Sequence, residues 1–447
     1  MRVPRAMLLH SVAAGADFDR YFRWRRTRDG DPFAVRFPGF GRVLFTGTPE
    51  GAKELLRAPV SLLVPPRPNP IEPLVGSASV ILARDERHRR TRELLAPAFH
   101  GSAIASFAEA IRDAADAEMD GVRTGVPWQP GVRLDLRSAA RAITLRVILQ
   151  AVFGLSDPRR RAEYTKEVVA YLTAFSGPLL LVPALRHGAF GRTPWDRFVA
   201  ARTRLDALIT ADIERRRGET TATTDILGTL LRARYADGGE MPVDELSEQL
   251  RTFLVAGHET TATSLVWALY WLYRQPETLR RLRAELAAAA GAEPDDLSRL
   301  PYLDAVCKET LRMHPPVPIV LRRLIGPFTL RGVDLAAGDN MGIVVSLLHS
   351  DPDVFPDAAE FRPERFLERR YTPFEFAPYG GGHRRCLGAS LAEYELRIVL
   401  ATLLSRVELA PTARYRRERI PRTVPHNIAT GPQRGMTFDV IANLQHE

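Results

Sequence analysis

The stretch from Phe376 to Gly388 (FAPYGGGHRRCLG) sets three consecutive glycines ahead of a single cysteine, and the run from Ala389 to Ser405 reads as a helix. Glycine reaches backbone conformations closed to other residues and lets a flat ligand approach closely. Cys386 then falls just before a helix N-terminus, where the macrodipole and free N–H groups favour a thiolate, a metal ligand. The chain has 2 cysteines, Cys307 and Cys386. No Cys/His cluster lies near Cys386, so a tetrahedral zinc site does not suit it. One axial thiolate is what a haem needs to push electrons toward O–O cleavage. A buried cysteine after a glycine loop is the plainer alternative, and it leaves the spacing unexplained.

A second constellation, Ala256-Gly257-His258-Glu259-Thr260-Thr261, sits inside the longest apolar-periodic segment. Pro242 suits a first helical turn, Asp244 and Glu245 favour its positive end, and Pro276 stops the pattern after Tyr273. About 34 residues at 1.5 Å each give roughly 50 Å, the width of a domain, so this helix must cross the core. Polar groups there cost a few kcal/mol unless hydrogen-bonded. A threonine can also bond back to the carbonyl four residues earlier and bend the helix. Because the segment is apolar on both sides, we read a kink beside a reacting centre rather than a helix end. Counting back from Thr260 by four, five and eight gives Ala256, Val255 and Thr252, near one face.

Four motifs in a fixed order carry a resemblance to the cytochrome P450 monooxygenases. Tyr379-Gly380-x-Gly382-x-Arg384-x-Cys386-x-Gly388 resembles the family's cysteine-ligand loop, with Tyr379 where the family usually has Phe. The 256–261 stretch is similar to its central-helix signature, and Glu309-Thr-Leu-Arg312 to its ExxR motif. Phe361-Arg-Pro-Glu-Arg365-Phe366 resembles the segment that supplies a third partner. Alone, a Glu–Arg pair at i,i+3 is more often a solvated helix face worth a few tenths of a kcal/mol. Together the motifs span nearly the whole chain.

The resemblance implies one mainly α domain over residues 1–447, with small β-sheets, a lead-in over about residues 1–30 and a long central helix crossing the core. It implies haem b (iron protoporphyrin IX), with Cys386 as the axial protein ligand and Ala256, Gly380 and Gly388 against the cofactor. Glu309, Arg312 and Arg365 would form a buried structural charge cluster. His88 and Arg92, which share a helix face at i,i+4, would hold a propionate together with Arg322 and Arg384; Arg323 is the alternative to Arg322. Glu259 and Thr260 would be the proton-handling pair. Thr252, Val255 and Ala256 would line a pocket, with Ile319 and Val320 on its opposite wall. The 62–75 segment and the apolar loop after Ser176 look like the family's variable access regions.

The background composition is ordinary: 447 residues, 45% hydrophobic and 26% charged, which excludes a disordered or collagen-like chain. Net charge is +9, with Lys only at Lys53, Lys166 and Lys308 against 59 Arg. A basic surface suits an acidic partner, nucleic acid or an anionic membrane, but nucleic-acid binding explains none of the motifs. Two cysteines make no disulfide framework and fit a reducing cytoplasm. The apolar start is interrupted by His10 and Ser11, so it reads as a mature N-terminus. Val168 to Leu185 runs 18 residues without a charge, the lower limit for a membrane span. Gly177-Pro178 and Pro183 break it, which predicts a helix ending near Ser176 and no stable membrane anchor.

Helix patterns cover Ala103–Met119, Ala139–Phe153 and Trp195–Arg217; strand patterns cover Ala34–Phe37, Val43–Phe45 and a β-rich patch over Val317–Val345. The expected protein is a soluble, cytoplasmic, monomeric haem-thiolate monooxygenase. It would insert one oxygen atom of O2 into a hydrophobic small molecule (a fatty acid, terpenoid, steroid or polyketide) by hydroxylation or epoxidation. Electrons would come from NAD(P)H through a reductase and an acidic ferredoxin docking on Arg87, Arg89 and Arg90. A peroxide-driven peroxygenase is the rival within the family, and it has no need of the Glu259–Thr260 pair. A non-catalytic haem sensor or recruiting protein is the rival from another class, disfavoured by Thr260 together with the cysteine loop.

Overall fold

The apolar-periodic segment forms one α-helix of 30 residues, Val243–Leu272, about 45 Å long. It belongs to a computed structural model that describes residues 5–37, 41–175, 179–180, 182, 185–218, 223–417, 420–426 and 428–444. Pro242 caps the helix instead of entering it: its ψ of 149° is extended, and its carbonyl accepts the first helical bond from Leu246 N–H at 2.9 Å. Asp244 and Glu245 do occupy the first turn. Pro276 ends one helix by opening the next, Pro276–Ala288. The central helix stays α-helical through Gly257. Glycine at 257 answers a packing need, since a Cβ there would lie 2.8 Å from Ile148 Cδ1 on the neighbouring helix Leu136–Phe153.

Around it pack Pro194–Arg217, Pro301–Met313 and Ala389–Arg406, with Pro158–Ala174 lying against Pro194–Arg217 and Leu136–Phe153, all joined in one large apolar core. Short polar residues start three of the helices. Asp135 accepts from Ser138 N–H, Asp157 from Arg159 and Arg160, and Thr193 forms a capping box with Asp196. The helix expected over Ala103–Met119 is two, Ser102–Ala105 and Ala108–Met119. Between them the Ser106 hydroxyl donates to the Ala103 carbonyl at 2.8 Å, a local bond that competes with helix continuation. The helix expected to end near Ser176 ends at Ala174, with Phe175 as its cap. Ser176, Gly177-Pro178 and Pro183 lie outside the described residues. Among the described residues no single helix is long and apolar enough to cross a membrane.

The β-structure is small. Its largest sheet orders Phe33–Phe37, Gly41–Thr46, Asn340–Val344, Ile319–Leu324 and Leu63–Val64, with one parallel pairing between the second and third. The β-rich patch thus sends two of its strands into a sheet with the N-terminal hairpin. The register pairs Val320 with Ile343 and Arg322 with Met341, and alternation sets Val320 and Arg322 on one face, Ile319 and Arg323 on the other.

Candidate active site

The cysteine loop needs its glycines for different reasons. Gly380 (φ 66°) and Gly382 (φ 64°) adopt left-handed backbone, strained for any side chain. A Cβ at Gly381 would meet Leu56 Cδ1 at 2.7 Å. Gly388 is unlike these: its φ is −86°, and a Cβ there would find nothing nearer than Phe99 Cδ1 at 4.0 Å. Nothing within the chain demands glycine at 388, whereas a flat group lying against the loop would. Phe99 in turn stacks edge-on against Phe253 of the central helix, 5.0 Å between centroids, so the loop and that helix flank one space.

Backbone bonds close the loop: Cys386 N–H donates to Tyr379 O at 3.0 Å and Arg385 N–H to Gly382 O at 3.1 Å. Cys386 keeps accessible surface on one side, while protein packed around the rest of the sulfur desolvates it and raises its pKa. The Gly388 amide, Arg385 and Arg92 pull the other way. The thiolate-favouring field expected at this helix start is therefore present but outweighed by burial; a metal cation is what deprotonates such a thiol outright. Burial, then Glu393, Cys386 and Cys307, hold the Tyr379 hydroxyl well above its ordinary pKa, so it stays neutral.

Glu309, Arg312 and Arg365 meet in the interior. Arg312 grips Glu309 with two bonds, Nε to Oε2 at 2.7 Å and Nη2 to Oε1 at 2.8 Å, and Arg365 Nε adds a third at 3.1 Å. The remaining guanidinium donors go to the carbonyls of His349, Pro356, Ala358 and Glu360.

Beside the loop lies a knot of basic side chains. His88 is pushed down to about 3 by burial and then by Arg384, His383, Arg92 and Arg322. Burial and Arg384 lower Arg322 to about 10, and burial, Arg84 and Arg92 bring Arg384 to about 10 against the pull of Asp85. Arg322 donates to the Leu321 carbonyl, and Arg384 to those of Ile81 and Ala83. Among the described residues none of Arg92, Arg322 and Arg384 is in an ion pair. Strand alternation sets Arg323 on the opposite face from Arg322, where it donates to the Arg67 carbonyl at 3.2 Å. His383, its ring 5.8 Å from His88, joins the knot although no spacing rule singled it out. Crowded, desolvated cations without counter-charges are costly unless an anion joins them.

From Gln249 to Leu272 the central helix is buried at every residue except Ala256, Gly257 and Thr260. That gap in a core-crossing helix is an opening onto the site. The Thr260 hydroxyl donates to the Ala256 carbonyl at 2.7 Å, leaving its oxygen lone pairs free to accept from a molecule in the opening. Glu259 does not share this face. It is buried against the helix Leu136–Phe153, ion-paired with Arg141, with His258 Nε2 4.0 Å away. Thr252 and Val255 also lie in packed core: the Thr252 hydroxyl bonds the Glu248 carbonyl at 2.7 Å and Ser79 Oγ at 2.9 Å. Val320 stands against Gly380, a Cβ there falling 3.6 Å from Val320 Cγ2, whereas Ile319 packs with the N-terminal aromatic cluster. A cavity of about 650 Å³ opens further along, between Pro68–Ser77, Arg202, Asp206 and the first turns of the central helix up to Arg251.

The basic run before Arg92 is largely neutralised. Arg87 pairs with Glu245 at 2.7 Å, Arg89 with Glu93 at 2.7 Å and with Glu86, and Arg90 with Asp237 at 2.5 Å. Arg385, beside the cysteine, is exposed and unpaired among the described residues.

A mainly helical fold with a core-crossing helix and a cysteine loop backed by a buried Glu–Arg–Arg cluster defines a class, and comparison with known proteins gives the same one. The family described as Cytochrome P450 matches residues 2–437, and the chain belongs to it. It is similar to the provisionally named cytochrome P450 135B1 of Mycobacterium tuberculosis, 36% identical over 88% of this chain and 82% of the relative. Cytochrome P450 135A1 of the same species is 31% identical over 92% of this chain and 88% of the relative. Among solved structures, the fold is that of the retinoic acid-bound cyanobacterial CYP120A1 (TM-score 0.82, 24% identity, 94% and 93% of the two chains covered). The cytochrome P450DA haem domain gives a TM-score of 0.83 at 20% identity, covering 98% and 96%. The protein is thus a haem-thiolate monooxygenase whose cofactor is haem b. The residues present fit that group: one accessible thiol, a glycine at 388 that only a neighbouring group would require, and unpaired cations suited to two carboxylates.

Proposed function

We propose that Cys386 is the axial ligand of the haem iron, with His88, Arg92, Arg322, Arg384 and His383 holding its propionates. The observation that carries this is the set of desolvated arginines without ion-pair partners among the described residues, Arg92, Arg322 and Arg384, gathered with the neutral His88 beside an accessible thiol. When bound, haem supplies O2 activation and the cleavage of the O–O bond. The chain's part is to hold and deliver protons while keeping bulk water out. Ala256, small and half-buried at the opening, leaves space beside the cofactor. Thr260 Oγ1, its proton held on the Ala256 carbonyl, anchors a water by accepting from it, and donates in its place only after rotating off that carbonyl. Glu259 is the proton reserve, tethered to Arg141, whose side chain reaches the surface and so links a buried carboxylate with solvent. This pairing also supports O2 over peroxide as the oxidant, and catalysis over sensing.

The substrate is a hydrophobic small molecule in the range of fatty acids, terpenoids, steroids or polyketides, entering past the 62–75 segment and hydroxylated or epoxidised beside Ala256 and Val320. Electrons come from NAD(P)H through a reductase and an acidic ferredoxin, which docks where Arg385 is free to pair; Arg87, Arg89 and Arg90 are engaged within the chain. The protein works as a cytoplasmic monomer, in keeping with two unbridged cysteines. Reconstitution with ferredoxin, reductase and isotopically labelled O2, on ligands first selected by displacement of the iron-bound water spectrum, tests the reading. One labelled oxygen atom in the product is expected. Unlabelled product formed only with added peroxide would overturn it.

A further inference from the structure

His349 stands outside every motif read from the sequence, yet it touches both halves of the site's framework. The Arg312 guanidinium donates to the His349 carbonyl at 2.8 Å, and His349 Nδ1 lies 3.1 Å from the Arg312 carbonyl. On the far side of the ring, the Ala377 N–H donates to Nε2 at 2.9 Å. An amide can only donate, so Nε2 is bare and Nδ1 carries the proton. That assignment satisfies every polar atom of a ring with 0% exposure. Burial and then Arg312 push its pKa down to about 3, so the imidazole is neutral whenever the protein is folded near neutrality.

Ala377 is where the cysteine loop leaves the rest of the fold. Its carbonyl accepts from Gly380 N–H at 3.0 Å, and the loop then closes through Cys386 N–H on Tyr379 O. The neighbouring Phe376 ring packs 5.0 Å from the imidazole. A continuous path therefore runs from Glu309 through Arg312 and the imidazole into the backbone that turns toward Cys386. Without Nε2 the Ala377 N–H would be a buried donor with no acceptor, a defect that costs far more than the bond gains.

We propose that His349 is a positioning residue that clamps the Cys386 loop to the Glu309–Arg312–Arg365 cluster through its Nε2 acceptor. This rests on Cys386 being the iron ligand. Two substitutions separate acceptor chemistry from mere bulk. His349→Gln carries a carbonyl oxygen near the place of Nε2, while His349→Asn ends near Nδ1 and leaves Ala377 unaccepted. Two quantities are read on each haem-loaded protein: the lifetime of the red-shifted Soret band of the reduced carbon monoxide complex, and amide hydrogen exchange over residues 372–380. The Gln variant is expected to stay within about twofold of wild type in both. The Asn variant should shorten the lifetime and speed the exchange about tenfold, or fail to accumulate where Gln does. Equal behaviour of Asn and Gln, or a Gln variant that fails as Asn does, overturns the proposal. A wild-type protein lacking the red-shifted band would instead overturn the ligand reading, leaving the exchange measurement to judge His349.

Discussion

Arg365 reaches Glu309 across 56 positions of sequence, Nε to Oε1 at 3.1 Å, with both side chains no more than 1% exposed. Glu309 also holds Arg312 and accepts the Arg362 N–H at 2.9 Å, so one carboxylate ties the helix Pro301–Met313 to the segment that leads into the cysteine loop. A single anion serves two buried cations, and four backbone carbonyls take the remaining donors.

Glu309→Gln should therefore be far more damaging than its small change in shape suggests. It leaves two guanidinium groups buried without a counter-charge, and breaking one partner of a buried pair costs about 3–5 kcal/mol. Chemical denaturation should show a loss of that size, with haem content falling in parallel. Wild-type stability in this variant would mean that the cluster is not what anchors the loop.

Thr260→Ala removes the hydroxyl at the opening while leaving the surrounding packing of the central helix alone. Haem binding, substrate binding and NAD(P)H consumption should persist. Product formed per NAD(P)H should fall about tenfold, less than the roughly 10²–10⁴ that a proton-transfer group can contribute because a water can take part of its place, with hydrogen peroxide appearing instead, and Thr260→Ser should recover much of the loss. Unchanged coupling with a confirmed substrate would remove Thr260 from proton handling.

Acid should unfold this protein early. Burial lowers His258 to about 4, and His314 and His349 to about 3, from an ordinary 6.5. Between those values the unfolded chain binds protons that the folded chain refuses, so stability is full above about 6.5 and is lost as pH falls toward 4. Each of the three contributes a slope of up to about 1.4 kcal/mol per pH unit. Melting temperatures recorded between about pH 7 and pH 5 should decline steadily. A flat profile would mean that these rings are not neutral in the folded protein.

Electron delivery should be sensitive to salt and to Arg385. Exposed charges act mainly on encounter and are screened over about 8–10 Å. Arg385→Glu should slow reduction by an acidic ferredoxin about fivefold at low ionic strength, whereas Arg89→Glu, replacing a residue already paired to two glutamates, should change it less. Reduction insensitive to both salt and Arg385, with electron transfer still limiting, would place the docking surface elsewhere.

The parts legible in the sequence are those where chemistry fixes both residue type and spacing. Glycines before Cys386, a polar break at 256–261 and the Glu309–Arg312 pair announce themselves, and so does a helix long enough to cross the core. What escapes is set by contact between distant segments. His349 and His383 gain their meaning from neighbours 28 or more positions away or from a cluster of cations, and neither has a local signature. Thr252 shares a helical face with Thr260 by counting, yet Ser79 and the Val75 carbonyl claim its hydroxyl. Glu259 reads as one of a pair with its neighbour Thr260, and only the packing of Leu136–Phe153 shows it turned to Arg141 instead. Arg87 and Arg90 read as part of a basic face because their partners, Glu245 and Asp237, lie some 150 positions along the chain. The break at Ser106 was legible in principle, since a serine hydroxyl can bond a nearby carbonyl, but the apolar period on both sides masks it.

The claim on which the rest depends is that Cys386 alone ligates the iron. The measurement is the absorption spectrum of the reduced carbon monoxide complex of Cys386→Ala beside that of the wild type, both loaded with haem b. The wild type should give the red-shifted Soret band of a thiolate-ligated haem, and the Ala variant should lose it entirely while still binding haem between the cations and the central helix. A red-shifted band that survives in Cys386→Ala would contradict the account at its centre.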